Sequence, residues 1–235
     1  MRRLRGARRR LQSAWAGLSD PFARLSYAQE GEDLILERIF ETRSQGFYVD
    51  VGAHHPKRFS NTYLFYLKGW SGVNIDAMPG SMQPFQRLRP RDRNIEAAIA
   101  AEAAPITFYI YNEPALNSTV PPEERNLDSA KYHVVRKETV MTRRLAEVLT
   151  ETVPSQQSID FLTVDVEGID LHVLQSNDWQ RFRPAYVLAE ELRRPSDATG
   201  PGCLAAFMRG QGYSVYCRTM NTIFFRDDLS EARLR

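Results

Sequence analysis

Four groups of acids in this chain stand where an apolar run gives way to a glycine or a turn. Asp50 in "FYVDVGAHHP" is followed two positions later by Gly52, and Asp76 closes "GVNID" 24 residues beyond that glycine. Asp165 and Glu167 lie in "TVDVEG", and Glu190 and Glu191 end "AYVLAEEL". A carboxylate at a strand end has a short list of uses. It accepts hydrogen bonds from a ribose, takes a proton from a nucleophile, ligates a hard cation such as Mg²⁺, or caps the amides of the next helix. His54 and His55 follow the glycine turn, and imidazole is the side chain whose unperturbed pKa lies nearest neutrality.

Periodicity supplies the elements that must carry these residues. "AQEGEDLILERIFE" predicts a lead-in helix with Leu34, Ile35, Ile39 and Phe40 on one face and acids at its start. "GFYVDV", the helix "NTYLFYLKG" ending at Gly69 and the strand "GVNID" make a βαβ unit, followed by a helix over "SMQPFQRLR" begun or broken at Pro84. Further on, "ITFYIY", "IDFLTVDV", "AYVLAEEL", "YSVYCR" and "TIFFRD" read as strands, and "RRLAEVLTE", "IDLHVLQS" and "CLAAFMRGQG" as helices. Apolar strands alternating with helices predict an α/β fold with a mostly parallel sheet covered on both faces. Only Thr219, Met220 and Asn221 separate the last two strands, so an antiparallel C-terminal hairpin is expected at one edge.

In such a sheet a ligand sits outside the carboxyl ends of the strands. Gly52 lets the backbone turn and approach that ligand, and Asp76 is placed to hold a ribose; the plainer alternative is that both aspartates cap local backbone. A dinucleotide needs G-x-G-x-x-G, whereas Ala53, His54, His55 and Pro56 follow Gly52, and two imidazoles would crowd a pyrophosphate. No Walker A loop is present either. A nucleoside without phosphates and with cationic groups remains, and S-adenosylmethionine (SAM) fits, its methionine end at Gly52 and its ribose at Asp76.

The stretches "AQEGEDLIL", "FYVDVGAHHP", "SNTYLFYLKGWSGVNIDAMP", "RPRDRNIEAAIA", "ALNST" and "IDFLTVDVEGIDLHVL" resemble, in order, the motifs of FkbM-type SAM-dependent methyltransferases, over roughly residues 26 to 192. The resemblance implies a Rossmann-like fold with a seven-stranded sheet, and methyl transfer to a hydroxyl of a sugar, glycan or glycosylated natural product. It also implies that Asp50, Gly52 and Ala53 form the first SAM motif, with His54 where methyltransferases commonly carry a second glycine. Asp76 and Ala77 would then meet the ribose, Glu96 and Ala97 the adenine side, and Asn61 of "SNTY" would shape the pocket or cap the next helix. Asn117, Ser118 and Thr119 match a family segment near the acceptor, and Glu190 is the usual acid after its strand.

Methyl transfer needs a nucleophile held in line at ~3 Å, and a hydroxyl must also lose its proton. His55 is one candidate base, the alternative being a ring that packs on Pro56 or bonds backbone. Asp165 is expected in the cleft beside the methyl group; Glu167 either shares its direction toward the acceptor or caps the following helix. Asp165 with Glu190 or Glu191 would suit Mg²⁺, unless the glutamates pair with Arg193 or Arg194. His172 reads as packing. Residues 112 to 140, punctuated by Pro114, Pro121 and Pro122, read as a long substrate loop in which His133, Lys131, Tyr132 and Arg136 accompany Asn117, Ser118 and Thr119; the bland alternative is a surface loop.

With 235 residues, 43% of them apolar, the chain can bury a full core, and one domain over 21 to 235 is expected after a basic extension over 1 to 20. The absence of a ~20-residue apolar run or an h-region predicts a soluble, cytoplasmic protein. A net charge of +2 gives no sign of a nucleic-acid partner; a carbohydrate or small-molecule acceptor is the expected one, and a homo-oligomer is left open. Cys203 and Cys217 suit buried or inert thiols. Six arginines in the first ten residues, with Leu4, Leu11, Trp15 and Leu18, fit a solvated tail or peripheral contact with the inner face of an anionic membrane. Methylation of an amino sugar or small amine, and a non-catalytic scaffold in a glycan-assembly complex, are the competing functions.

Overall fold

The structure, a computed structural model, describes residues 20, 22–191 and 203–229. In chain order its elements are α1 (Glu32–Ile39), β1 (Phe47–Val51), α2 (Tyr63–Leu67), β2 (Ser71–Asp76), α3 (Met82–Leu88), β3 (Arg93–Glu96), β4 (Ala98–Ile99) and β5 (Pro105–Tyr111). Then follow β6 (Val134–Arg143), α4 (Leu145–Thr152), β7 (Phe161–Val164), α5 (Asp170–Gln175), β8 (Tyr186–Glu190), α6 (Cys203–Gly210), β9 (Tyr213–Arg218) and β10 (Thr222–Asp227).

Seven strands form one sheet in the order β3-β2-β1-β7-β8-β10-β9. The strands from β3 to β8 run parallel, and β10 is antiparallel to both β8 and β9, so the expected hairpin closes one edge. β1 is buried throughout because both faces of the sheet are covered. Val49 and Val51 face the core made with Leu145, Leu149, Val173 and Met208, whereas Tyr48 faces Leu36, Phe65 and Trp70. Register sets Val51 beside Ile75 and Val164, so Gly52, Asp76 and Asp165 leave the sheet along one edge.

Several expectations need correction. The lead-in helix begins only at Glu32, after Gly31 at φ 85°, and its fully buried apolar residue is Leu36, while Leu34 is half-buried. Its acids do more than suit a helix N-terminus: Asp33 accepts from Ser26 Oγ and the Tyr27 amide, and Glu32 from the Glu30 amide and Thr222 Oγ1, which ties the helix to the hairpin. "ITFYIY" is not a strand of the main sheet; it pairs in a separate three-stranded sheet of order β4-β6-β5. The expected loop over 112 to 140 ends at β6, whose polar, exposed residues such as Arg136 and Lys137 are held by backbone pairing to β5 and carry no apolar alternation. "RNIE" and "AI" are strands too short to show a period.

Cys203 is exposed and Cys217 half-buried, neither in a disulfide, so the first is not a buried thiol. Among the described residues no helix is long and apolar enough to cross a membrane. The Arg-rich extension up to residue 19, and the proposed partners Arg193 and Arg194, lie outside the described residues.

Candidate active site

A cavity of about 310 Å³ opens over the carboxyl ends of β1, β2 and β7. Its floor is the turn at Gly52, where φ is 84° and an added Cβ would stand 1.7 Å from the Asp165 carbonyl oxygen. Only glycine lets β1 and β7 end this close together. The Gly52 and Ala53 amides both donate to the Ile75 carbonyl, which fixes the turn against β2.

Asp76 stands at the rim. Its Oδ2 accepts from the His54 amide and its Oδ1 from the Met78 amide, each at 2.8 Å, and burial still outweighs these bonds to raise its pKa. The capping role foreseen for this residue is therefore present, and one lone pair on each oxygen is left over. Ala77, Met78, Pro84, Ala97, Ile99 and Phe108 make an apolar wall beside it.

His54 adopts a left-handed φ of 51°, and its Nε2 is buried with no partner among the described residues. Burial, then the positive charge of Arg58, lowers its pKa to about 4, so the ring is neutral. His55 also lines the cavity, but its Nδ1 accepts from the Lys57 and Arg58 amides at 3.1 and 2.9 Å. A neutral imidazole accepting at Nδ1 carries its proton on Nε2, so it offers a donor, not a base. Burial and Arg58 lower its pKa as well.

At the far side Asp165, Glu167 and Glu190 each offer an oxygen within 4.8 Å of the others. Asp165 is open to water in the cavity while protein surrounds its carboxyl, and burial, reinforced by Glu190 and Asp170, raises its pKa well above the carboxylate range. Glu190 is raised to about 8, by burial first and then Glu167 and Asp170. Asp170, fully enclosed, accepts from the Glu190 amide at 3.2 Å and is raised by burial to about 7. Glu167, at φ 58°, forms an ion pair with Arg125, which only partly offsets the burial that raises its pKa. Arg125 also donates to the Leu116 carbonyl and stacks over Tyr111 at 5.2 Å, so it binds the 112–133 loop to the end of β7.

The cavity thus gathers Gly52, His54, His55, Asp76, Ala77, Ala97, Asp165, Glu167, Asn117, Ser118 and Thr119. Asn117 Oδ1 accepts from the Tyr111 amide, and Ser118 Oγ donates to the Glu167 carbonyl, so turn-making and cavity-lining coexist. Other expected residues are elsewhere. Asp50 is buried on the opposite face, where it accepts from Thr62 Oγ1 at 2.7 Å, and burial raises its pKa to about 6. Ala53 packs with Met82 and Phe85, and Glu96 accepts from the Gly80 amide at 2.7 Å. Asn61 donates to Thr163 Oγ1 and lines a different, smaller pocket with Glu190. Glu191, just past the end of β8, pairs with Arg218 at 2.6 Å, so Glu167 takes its place in the acid cluster. Arg125 and Asp170 were not foreseen: an arginine in a polar loop carries no signal, whereas the acid opening "DLHVLQ" could have been read as a helix-start residue.

No curated protein matches the chain. Solved structures that resemble it include two at low identity. A proposed RNA methyltransferase from Pyrococcus horikoshii is 9% identical with a TM-score of 0.44, covering 84% of this chain and 83% of that one. A TehB-like SAM-dependent methyltransferase from Corynebacterium glutamicum is likewise 9% identical at TM-score 0.44, covering 94% and 97%. The family model described as the methyltransferase FkbM domain matches residues 50–215, more than two thirds of the chain, from the end of β1 into β9. This chain belongs to the FkbM methyltransferase family.

Proposed function

We propose that the protein methylates a hydroxyl of a carbohydrate or other polyhydroxylated small molecule. The observation that carries this reading is the pair Asp165 and Glu190, two carboxyls near one another whose oxygens accept no hydrogen bond among the described residues. Such a pair holds one proton near neutrality, because two like charges this close resist joint ionisation, and its ionised member can accept the proton of a hydroxyl.

The residues present suit the donor. The remaining acceptors of Asp76 meet a ribose, the apolar wall of Ala77, Ala97, Ile99 and Phe108 suits an adenine, and the turn at Gly52 leads toward the acids. His54 Nε2 is a buried polar atom in need of a partner there. When bound, SAM supplies an electrophilic methyl group on a cationic sulfur. The acid cluster favours that positive charge, Asp165 and Glu190 take the acceptor's proton, and Arg125 holds Glu167 and the 112–133 loop in place. Turnover to S-adenosylhomocysteine with a panel of neutral sugars tests the reading; SAM binding without turnover on any hydroxyl acceptor would favour an amine acceptor or a scaffold.

A second reading places Mg²⁺ on Asp165, Glu167 and Glu190, whose hard oxygens suit it. Arg125 already compensates Glu167, so this reading requires that ion pair to open.

A further inference from the structure

Of the residues lining the large cavity, Asp165 alone also lines a second pocket of about 20 Å³. The small pocket lies over β7, β8 and β10 instead of β1 and β2, and Glu190, Asn61 and Phe59 help to wall it. Glu30 of the lead-in segment and Asn221 of the hairpin turn complete its rim. Its volume exceeds the ~10–15 Å³ that one water needs, so it admits one small polar group but no whole sugar ring.

Most of its polar atoms are already engaged. Asn61 Nδ2 donates to Thr163 Oγ1 at 2.9 Å, and Glu30 accepts from the Asn221 amide at 3.0 Å. Two carboxyls are not. Glu190 Oε2 is buried without a partner among the described residues, and Asp165, between the two cavities, accepts no hydrogen bond from any of them. A buried acceptor left unpaired is costly and calls for an explanation such as a ligand or water. Among the described residues no basic side chain lines the small pocket, and Arg125 reaches Glu167 outside it. The described lining therefore offers carboxyls, hydroxyls and neutral amides but no cation, and an anion would meet the charge of the ionised acid.

We infer that this small pocket is the acceptor subsite: it receives one hydroxyl or ammonium group of the acceptor, framed by the lead-in segment and hairpin turn, and rejects carboxylate or phosphate. The inference rests on the methyl-transfer reading and narrows its substrate to neutral or amino-bearing polyols. It moves part of acceptor choice away from residues 112 to 140, whose Asn117, Ser118 and Thr119 line the donor cavity.

The test uses the full chain saturated with S-adenosylhomocysteine and three pyranosides that differ in charge: methyl glucoside, glucosamine and glucuronate. Saturation-transfer NMR should detect the first two and not the third. Gln29→Trp, at an exposed position on the rim, and Asn221→Trp should each weaken that binding roughly tenfold. Calorimetry should find S-adenosylhomocysteine affinity unchanged in both, which separates a filled pocket from a misfolded chain. Glucuronate binding as well as glucoside, undiminished binding in both variants, or no binding by any of the three would overturn the inference. Failure of the unaltered chain to bind S-adenosylhomocysteine would instead strike the methyl-transfer reading, and the inference would fall with it.

Discussion

Two carboxylates at the ends of the strands that flank β1 have opposite environments. Asp76, after β2, has both oxygens engaged by backbone amides before any ligand arrives. Asp165, after β7, faces Glu190, Glu167 and Asp170 with no donor of its own. The first arrangement fixes a binding surface in advance; the second keeps charge poised where a cation and a proton must be handled. On the proposed function, binding and chemistry are divided between the two sides of β1, and substitutions on each side should separate affinity from turnover.

The sharpest break is Asp165→Asn. It removes the proton acceptor while keeping shape, and turnover to S-adenosylhomocysteine should fall by roughly 10²–10⁴, the usual worth of a positioned acid or base. SAM affinity, read by calorimetry, should fall far less. A loss below about threefold would move the chemistry elsewhere. Gly52→Ala attacks the junction itself: its Cβ would meet the Asp165 carbonyl at 1.7 Å, at a φ alanine avoids. Stability by denaturant titration should drop by about 3 kcal/mol or more, combining backbone strain with the parting of β1 from β7. An unchanged midpoint would mean that the two strand ends are not held together as described.

Asp76→Ala belongs to the other side. It strips the His54 and Met78 amides of their acceptor, which costs about 1–3 kcal/mol for each amide that stays buried and unsatisfied. SAM should bind on the order of 100-fold more weakly if the same carboxylate holds the ribose, with the pH dependence of the remaining turnover unchanged. Equal SAM affinity in the variant would leave Asp76 a turn-capping residue only.

The acids after β7 and β8 also leave a mark on stability. Glu190 is raised to about 8 and Asp170 to about 7, so the folded chain holds protons that the unfolded chain has released. Stability from these groups is full below the ordinary carboxylate pKa and is lost as pH rises toward 8. Glu190→Gln should flatten that decline and gain on the order of 2 kcal/mol at pH 8 in the ligand-free protein. A decline with the same slope in the variant would show that Glu190 is ordinary. Excess chelator should leave turnover intact, because Arg125 supplies the compensating charge at Glu167; loss of activity would assign the cluster to a cation.

The two sides also differed in what could be read from sequence. The βαβ unit from β1 to β2 and the edge hairpin were legible because buried strands are apolar runs and Gly52, Gly69 and the short 219–221 turn punctuate them. The small sheet was not, since β6 is a mostly exposed ribbon whose stability lies in backbone pairing. The strand-end acids stood out in the sequence by their position after apolar runs, but their partners were hidden. Whether Asp50 faces a ligand or Thr62 depends on which face of β1 it takes. Glu191 lost its place to Glu167 because β8 ends at Glu190, after which the chain turns toward Arg218. Ion pairs across 42 residues, such as Arg125 with Glu167, have no local signature.

The smallest effect is expected at His55. Its Nδ1 gathers the Lys57 and Arg58 amides, so the ring organises the loop after Gly52 and keeps its proton on Nε2. Those amides are exposed enough for water to replace the imidazole, so His55→Ala should cost only about 0.5–1.5 kcal/mol of stability. Turnover should stay within about threefold, since the loop is also held by the His54 amide on Asp76. The pH–rate profile discriminates best. If Asp165 and Glu190 take the proton, the rise in rate toward pH 8 should survive in His55→Ala and vanish in Glu190→Gln. A profile that loses its rise only in the His55 variant would return the proton to the imidazole.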